Sequence, residues 1–303
     1  MKTLKIRVGT RTSRLALKQV ELVFNKLKEF YDIDYEVVGI NTLGDIDKKT
    51  SISQMGGKGV FVRAIEDALK DGRIDIAVHS LKDMTSEIEE GLEIIYFGER
   101  AKRNDIIVLN EKHKGNNELI NGMRVATGSL RRKFLLAMDE KDYSIAEIRG
   151  NIESRIAKLD SEGFDAIILS RAAIDRLDLN DGLEGRIIDL NEDEFLPSPC
   201  QGVIALEINK DNHELKQMLK SIRDEKTDFE VSIERAFLSE SGASCNKPLG
   251  IHVVSDDNKA HVKAFMASDD LKRYRFINFD TDKENYLKDV KKYTDSIKGD
   301  IDV

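Results

Sequence analysis

The stretch IDIAVHSLKD, residues 74–83, predicts a buried strand that ends in a compact polar cluster. Its first half alternates isoleucine and valine with smaller or polar residues, which is the period of a strand. The polar residues that follow are His79, Ser80, Lys82 and Asp83. Because ligands bind outside the carboxyl ends of strands in open α/β sheets, these side chains form a candidate site. On these residues alone, a strand followed by a solvated turn, with Asp83 as a cap, is an equally good interpretation.

The segments before this stretch predict that it belongs to an α/β sheet. Residues 4–8 and 35–40 have the pattern of strands, and an amphipathic helix begins between them near Thr12 or Ser13. A helical pattern over residues 61–69 leads into the stretch. The order βαβαβ indicates a mostly parallel sheet with right-handed crossovers. The polar, aperiodic residues 41–59 predict a long loop, which in a compact domain is usually functional or mobile.

A second α/β pattern starts near residue 105. Strands are predicted over residues 106–109, 124–127, 145–148 and 166–170. Pro197 and Pro199 indicate a stiff crossover, after which residues 203–208 form a strand that could return to the first sheet. Two such crossings would make a hinge. From about residue 222, a helix, alternating segments and a last helix indicate a small α+β domain with an antiparallel sheet.

The composition fits a soluble globular protein of two or three domains, because 34% of the 303 residues are charged and 40% are hydrophobic. A net charge of −8 argues against nucleic-acid binding as the main role. The chain starts without an apolar signal region and has no apolar run of membrane-spanning length, so we expect a cytoplasmic location. Cys200 and Cys245 are then expected to be thiols rather than a disulfide. The histidines lack metal-ligand spacing, so no metal site is expected.

Basic residues recur at strand ends and helix starts, which face the cleft in an α/β domain. They are Arg11, Lys58, Lys82, Arg131, Arg132, Arg149, Arg155 and Arg176. Ser13 and Ser129 add hydroxyl groups at helix N-termini, which bind anions. A desolvated hydrogen bond from arginine to a carboxylate contributes roughly 1.5–3 kcal/mol, against about 0–1 for an exposed ion pair. A converging set could therefore hold a polyanion, although solvated charges or structural salt bridges are the alternative for each arginine.

Two nucleotide-binding motifs are absent from the sequence. The segment MGGKG, residues 55–59, lacks P-loop spacing because Ile52 stands where the first glycine belongs, and no GxGxxG follows the first strand.

Cys245 follows Gly242, Ala243 and Ser244, which leave it room, and the nearby Lys247 would favour a thiolate. The alternative for Cys245 is a small buried apolar residue, which is also the role expected for Cys200.

Together these residues resemble the porphobilinogen deaminase (hydroxymethylbilane synthase) family of tetrapyrrole biosynthesis across nearly the whole chain. The motifs that carry the resemblance are GTRTSRLAL (9–17), GGKGVF (56–61), HSLKDM (79–84), TGSLRR (127–132), RGN (149–151), LP (196–197) with QG (201–202), and CNKPLG (245–250). The resemblance implies two periplasmic-binding-protein-like α/β domains joined by a hinge, plus a small C-terminal α+β domain. We therefore expect domain 1 at residues 1–99 and 198–218, domain 2 at 100–197 and domain 3 at 219–303.

The resemblance also implies an activity. The family is a transferase that condenses four porphobilinogen molecules head to tail, with release of ammonia, onto a covalent dipyrromethane primer, giving hydroxymethylbilane for haem biosynthesis. Cys245 matches the cysteine that binds the primer by a thioether, and Asp83 matches the catalytic aspartate. The residues at the other cofactor-binding positions are Ser13, Lys58, Lys82, Thr127, Ser129, Arg131, Arg132 and Gln201, with Asp83 itself also among them. The substrate-binding positions are Arg11, Arg149, Arg155 and Arg176. We expect a monomer with no nucleic-acid, membrane or metal partner.

The sequence departs from the family pattern at a few positions. Ala243 and Ser244 replace the two glycines usual before the cofactor cysteine, and Cys200 replaces a glycine before Gln201. Gln54 replaces a second basic residue that is often found in the long loop, and Thr85 replaces a proline.

Two other functions remain to be weighed. A two-lobed binding or sensor protein for a carboxylated small molecule would share the hinged α/β pair, but it would need neither the Cys245 loop nor a cytoplasmic location. Nucleic-acid binding through Arg131 and Arg132 is disfavoured by the overall acidity.

Overall fold

The computed structural model describes residues 3–40, 62–242 and 247–301. Its strands are β1 (Leu4–Thr10), β2 (Ile33–Gly39), β3 (Ile76–Ser80), β4 (Leu92–Phe97), β5 (Asp105–Leu109), β6 (Arg124–Ala126), β7 (Ser144–Ala146), β8 (Ala166–Ser170), β9 (Ile187–Asp189), β10 (Ile204–Asn209), β11 (Leu249–Ser255), β12 (Lys259–Ala267) and β13 (Tyr274–Asp282). Its α-helices are α1 (Arg14–Lys28), α2 (Arg63–Lys70), α3 (Leu130–Ala137), α4 (Ile152–Ser161), α5 (Arg171–Arg176), α6 (His213–Lys220), α7 (Glu225–Ser241) and α8 (Tyr286–Ile301). The loop predicted over residues 41–59, with Lys58, and the predicted Cys245 site lie outside the described residues.

The first sheet has the strand order β2-β1-β3-β10-β4. β1 is parallel to β2 and β3, whereas β10 is antiparallel to both of its neighbours. One face packs against α1 and α6 through Val23, Phe24 and Leu219. The other face packs against α2, where Ile65 and Leu69 contact the side of the sheet that carries Ala77. These apolar contacts bury β3 and leave its carboxyl end as the polar edge.

The second sheet repeats this arrangement with the order β7-β6-β8-β5-β9. β6 is parallel to β7 and β8, and β5 is antiparallel to β8 and β9. The chain passes between the two sheets twice, from β4 to β5 and from β9 to β10. The prediction that the strand after Pro199 returns to the first sheet is therefore confirmed, and so is the α/β class. Both sheets are mixed rather than mostly parallel, since half of the strand pairs in each are antiparallel.

The third sheet is the antiparallel β11-β12-β13, as predicted for the C-terminal region. Helices α7 and α8 cover one face through residues such as Phe237 and Ile297, which pack on Ile251 and Val262. Its other face contacts α3 of the second sheet, where Phe134 stacks on Phe265 at 4.9 Å between ring centroids. The predicted α+β unit is therefore present and joined to the second sheet by aromatic packing.

Three elements were not predicted, namely β4, β9 and α6. β9 has only three residues, and α6 buries only Leu215, Met218 and Leu219 over two turns. β7 is also shorter than predicted, since it ends at Ala146. Such short elements depend on neighbours that the local sequence pattern does not contain.

Buried ion pairs connect both crossings to α7. Arg100 donates to Glu234 at 2.6 and 3.0 Å, and Arg103 donates to Glu230 at 2.7 Å. Glu234 also accepts from the backbone N–H of Cys200 in the second crossing. Cys200 is buried in an apolar cluster, which agrees with its predicted packing role. The segment after α7 leads to Cys245, so these pairs fix the helix that precedes it.

Gly202 in the second crossing gives a test of this arrangement. Its φ is +90°, and an added Cβ would lie 2.4 Å from the carbonyl oxygen of Ala101. We expect Gly202→Ala to lower the free energy of unfolding by about 2–4 kcal/mol, because backbone strain and a clash with main chain combine. Urea unfolding measures the change. Gly299→Ala in α8, where a Cβ meets nothing within 4 Å, is the control, and equal effects of the two would contradict the argument.

Candidate active site

Asp83 lies at the carboxyl end of β3, on a single 3₁₀ turn formed by Leu81–Asp83. Leu81 is buried and its N–H donates to the carbonyl of Val203, so this turn is held against the second crossing. Asp83 itself is exposed. No described residue donates a hydrogen bond to its carboxylate, and the capping role considered for it is not seen. The carboxylate is therefore available to a bound molecule.

Lys82 links this turn to the second sheet. Its Nζ donates to Oε1 of Gln201 at 3.2 Å, and Nε2 of Gln201 donates to Asp105 at 2.9 Å. The residue is partly accessible, but its ammonium group is surrounded by protein. Burial lowers the pKa of Lys82 to about 8, with Arg132 acting in the same direction and Asp83 opposing it.

Arg131 and Arg132 converge on Asp105 at the start of β5. Both guanidinium groups donate to its carboxylate, at 2.6 Å from Arg131 and at 2.7 and 3.1 Å from Arg132. They also donate to the carbonyls of Leu196 and Ile168. Burial alone would raise the pKa of Asp105, but attraction to the two arginines outweighs it and holds that pKa well below its usual range. The structural salt bridge that the sequence left open for these two residues is thus present.

Ser13 and Ser129 occupy equivalent places in the first and second sheets. Each caps the helix that follows a strand: Ser13 accepts from the N–H of Ala16, and Ser129 accepts from the N–H of Arg132. Thr127 is buried and accepts from the N–H of Ser129. Because a capping serine uses its oxygen as an acceptor, its O–H remains a donor for an anion at each helix N-terminus.

Two further arginines lie close to these groups. Nε of Arg155 donates to the carbonyl of Gly150, and the pKa of Arg155 is lowered to about 10 by burial and by Arg132, while Asp83 opposes. Nη2 of Arg176 donates to the carbonyl of Gly202, and burial lowers the pKa of Arg176 to about 10. Among the described groups that act on Lys82, Arg131 and Arg155, the only carboxylates are those of Asp83 and Asp105, so cations outnumber carboxylates there. An anionic ligand would relieve this imbalance.

A cavity of about 450 Å³, counted with its solvent-open part, lies at the carboxyl end of β3. The predicted site residues that line it are Arg11, Ser13 and Asp83, and His79 and Gln19 line it as well. Arg149 is exposed and lies in the loop between β7 and α4. The structure thus brings Asp83, Lys82, Gln201, Arg132 and Arg155 to one region, whereas no described contact joins Arg149 to these groups.

Asp105 is the important residue that the sequence did not reveal. It is fully buried and contacts Arg131, Arg132 and Gln201, yet it belongs to no sequence motif that we recognised. The available signal was an acidic residue directly before the apolar run of β5, where burial requires a cationic partner.

The fold and the site define a two-lobed α/β protein whose cleft gathers cations and hydroxyl donors around one exposed carboxylate. A family model described as "Porphobilinogen deaminase, dipyromethane cofactor binding domain" matches residues 6–217. The porphobilinogen deaminase of Clostridium novyi is 41% identical over 261 residues, which are 86% of this chain and 86% of the relative. That of Caldicellulosiruptor saccharolyticus is 36% identical over 295 residues, 97% of this chain and 99% of the relative. The chain belongs to the porphobilinogen deaminase family.

A probable amino-acid ABC transporter extracellular-binding protein from Bacillus subtilis aligns with a TM-score of 0.40 and 17% identity, over 77% of this chain and 97% of that chain. Within residues 3–40, 62–242 and 247–301, no helix is long and apolar enough to cross a membrane. The same residues contain no group of three or more His, Cys, Asp or Glu side chains placed to hold a metal ion.

Proposed function

We propose that this chain condenses four porphobilinogen molecules head to tail, releases ammonia at each step and yields hydroxymethylbilane. The observation that carries the proposal is the exposed carboxylate of Asp83 among cations whose pKa values are lowered by burial. Each pyrrole ring of the substrate bears an acetate and a propionate, so a growing chain is a polyanion. A cleft with surplus positive charge suits such a ligand.

The basic and hydroxyl residues would bind the ring carboxylates. The pKa values of Lys82 and Arg155 are lowered, and a carboxylate beside them would raise these pKa values again and stabilise the charged forms. Arg11, Arg149 and Arg176 are proposed to bind substrate in the same way. Arginine is well suited to this role because its guanidinium group can donate two parallel hydrogen bonds to one carboxylate.

Asp83 would act on the cation that forms when ammonia leaves porphobilinogen. The positive charge of that azafulvene is shared with the pyrrole N–H, and a carboxylate at this position stabilises it electrostatically. The same carboxylate can accept a proton when the ring regains its aromatic form. Asp83 is suited to both tasks because no described residue donates a hydrogen bond to the oxygens of its carboxylate.

The donor set fits a dipyrromethane cofactor, which carries ring carboxylates of its own. Ser13, Ser129, Thr127, Lys82, Gln201, Arg131 and Arg132 are proposed to hold it, together with Lys58 and Asp83. When bound, the cofactor supplies the pyrrole terminus on which the chain is extended. Arg131 and Arg132 would present to it the N–H groups that remain beyond their bonds to Asp105.

We propose that the three domains have the roles that the sequence suggested. Domain 1 (1–99 and 198–218) would contribute Asp83, domain 2 (100–197) the arginine-rich wall and domain 3 (219–303) the cofactor cysteine. The crossings between β4 and β5 and between β9 and β10 would serve as the hinge. We also propose a cytoplasmic monomer.

Cofactor attachment at Cys245 provides the test of this function. The intact mass of the denatured chain, purified after expression in cells that make porphobilinogen, should exceed its sequence mass by one dipyrromethane. Cys245→Ser should have the bare mass and form no product, because a hydroxyl group does not replace the thiolate as nucleophile here. Cys200→Gly is the control, since the φ of +62° at that position suits glycine and its mass gain should persist. A bare wild-type mass that porphobilinogen does not increase would instead favour a binding protein.

A further inference from the structure

A second group of titratable side chains lies behind the cleft, on the side of the first sheet that α2 covers. His79 of β3 and Glu207 of β10 are 7% and 0% exposed, and Nε2 of His79 lies 3.2 Å from Oε2 of Glu207. Glu207 is paired with Ala77 across the two strands, and Ala77 packs against α2. The pair is therefore enclosed between the sheet and that helix.

Glu66 of α2 completes the group. It is half-buried, and its pKa is raised to about 7 first by burial and then by the charge of Glu207, while His79 opposes the change. The other oxygen of Glu207, Oε1, is buried and has no hydrogen-bond partner among the described residues. A buried carboxylate oxygen without a donor is unfavourable, so Oε1 of Glu207 can accept a further hydrogen bond.

The charged groups around this cluster are few. Lys70 and Glu89 also act on Glu66, but they pair with each other at the surface. On the cavity side, His79 lines the same cavity as Arg11 and Asp83. Asp83 and His79 thus line one cavity, His79 contacts Glu207, and the charges of Glu207 and His79 both act on the half-buried Glu66.

We propose that Glu66, His79 and Glu207 form a proton store that takes up the proton released at Asp83 in each condensation. This inference rests on the proposed function. In each step the C–N bond of porphobilinogen breaks and ammonia leaves with its electron pair. The free ring carbon of the growing chain then forms a C–C bond to the resulting azafulvene, and loss of its proton returns the electron pair of the C–H bond to the pyrrole ring. The proton goes to the Asp83 carboxylate, then through the cavity to the His79 ring, where Glu207 stabilises the imidazolium. It leaves to solvent through Glu66. These are positioning residues, since they act through Asp83.

The test is the pH dependence of turnover in the cofactor-loaded full chain. The store accepts a proton only when it is deprotonated, so wild-type kcat should fall as the pH decreases through about 7. Glu66→Gln should flatten this limb between pH 6 and 8 and reduce kcat at pH 8 by about tenfold, with KM nearly unchanged. Glu207→Gln should reduce kcat by about a hundredfold. Glu29→Gln, which removes an exposed carboxylate that pairs with Lys26 and does not act on Glu66, should behave as wild type.

A second measurement does not depend on activity. Potentiometric titration from pH 8 to pH 6 should show that Glu66→Gln binds about one proton fewer per chain than wild type or Glu29→Gln. Profiles of Glu66→Gln that superimpose on wild type, or an equal proton uptake, would overturn the proposal even if Glu207→Gln does not fold. A wild-type chain that makes no product would overturn the proposed function and the inference with it, whereas normal product with unchanged profiles would overturn the inference alone.

Discussion

Asp83→Asn is expected to reduce product formation by about a thousandfold per cofactor-loaded chain while the fold is kept. The loss follows from charge, because an amide of the same shape neither stabilises a cation nor accepts its proton. The fold should persist because the Asp83 carboxylate makes no hydrogen bond with the described residues, and its turn is fixed by Leu81 instead. Thermal unfolding should therefore give nearly the wild-type midpoint.

Asp71→Asn is the matched control for this substitution. Asp71 is also an exposed aspartate of the first sheet unit, at the C-terminal end of α2, and its partner Arg73 is exposed as well. It should keep the wild-type rate. Intact mass is measured on both variants, so that a loss of cofactor is not mistaken for a loss of catalysis. A rate for Asp83→Asn within tenfold of wild type would show that another group stabilises the cation.

The strand end at Asp83 could be predicted because its pattern is local. The alternation before His79 and the polar residues after it are both visible in ten consecutive residues. The order of the strands in the sheet could be predicted only in part. The return of β10 to the first sheet was predicted, but its insertion between β3 and β4 was not. The sequence of β3 does not indicate which strand pairs with it in the antiparallel direction.

The partners of the arginines could not be predicted for a related reason. Arg131 and Asp105 are 26 positions apart in the sequence, and nothing near either residue indicates that they meet. The sequence suggested that Arg131 and Arg132 face the cleft. The structure adds that most of their hydrogen bonds hold the second sheet and the second crossing together. The similar topology of the two five-stranded sheets was also not visible as a sequence repeat.

Asp105→Asn is expected to be the most destabilising of these substitutions. It removes the only carboxylate that the described contacts give to Arg131 and Arg132, whose guanidinium groups stay almost completely buried. Removal of one partner from a buried ion pair costs about 3–5 kcal/mol, because the remaining charge is not compensated. The thermal midpoint should fall by roughly 10 °C. Only one acceptor oxygen would remain for Arg131, Arg132 and Gln201, so the Gln201 side chain that binds Lys82 should be held less firmly.

Asp189→Asn separates this effect from the general loss of an acidic residue in the second sheet. Asp189 contacts Arg171 at 3.4 Å and accepts a hydrogen bond from Asn104 at 2.8 Å, which the oxygen of asparagine can also accept. Because its side chain is 55% exposed, loss of the charge should cost less than about 1 kcal/mol. Equal shifts in the midpoint for the two variants would contradict a special role for Asp105.

The pH dependence of stability provides an independent check on the charge of Asp105. Because the folded state holds its pKa well below the usual value of 3.8, the stability that it contributes is present above about pH 4. That contribution is lost as the pH falls from there towards the folded-state pKa. The gap in thermal midpoint between wild type and Asp105→Asn should therefore be constant from pH 8 to pH 5 and narrow in more acidic buffer. A gap that stays the same down to pH 2 would mean that Asp105 stabilises the protein through packing rather than through charge.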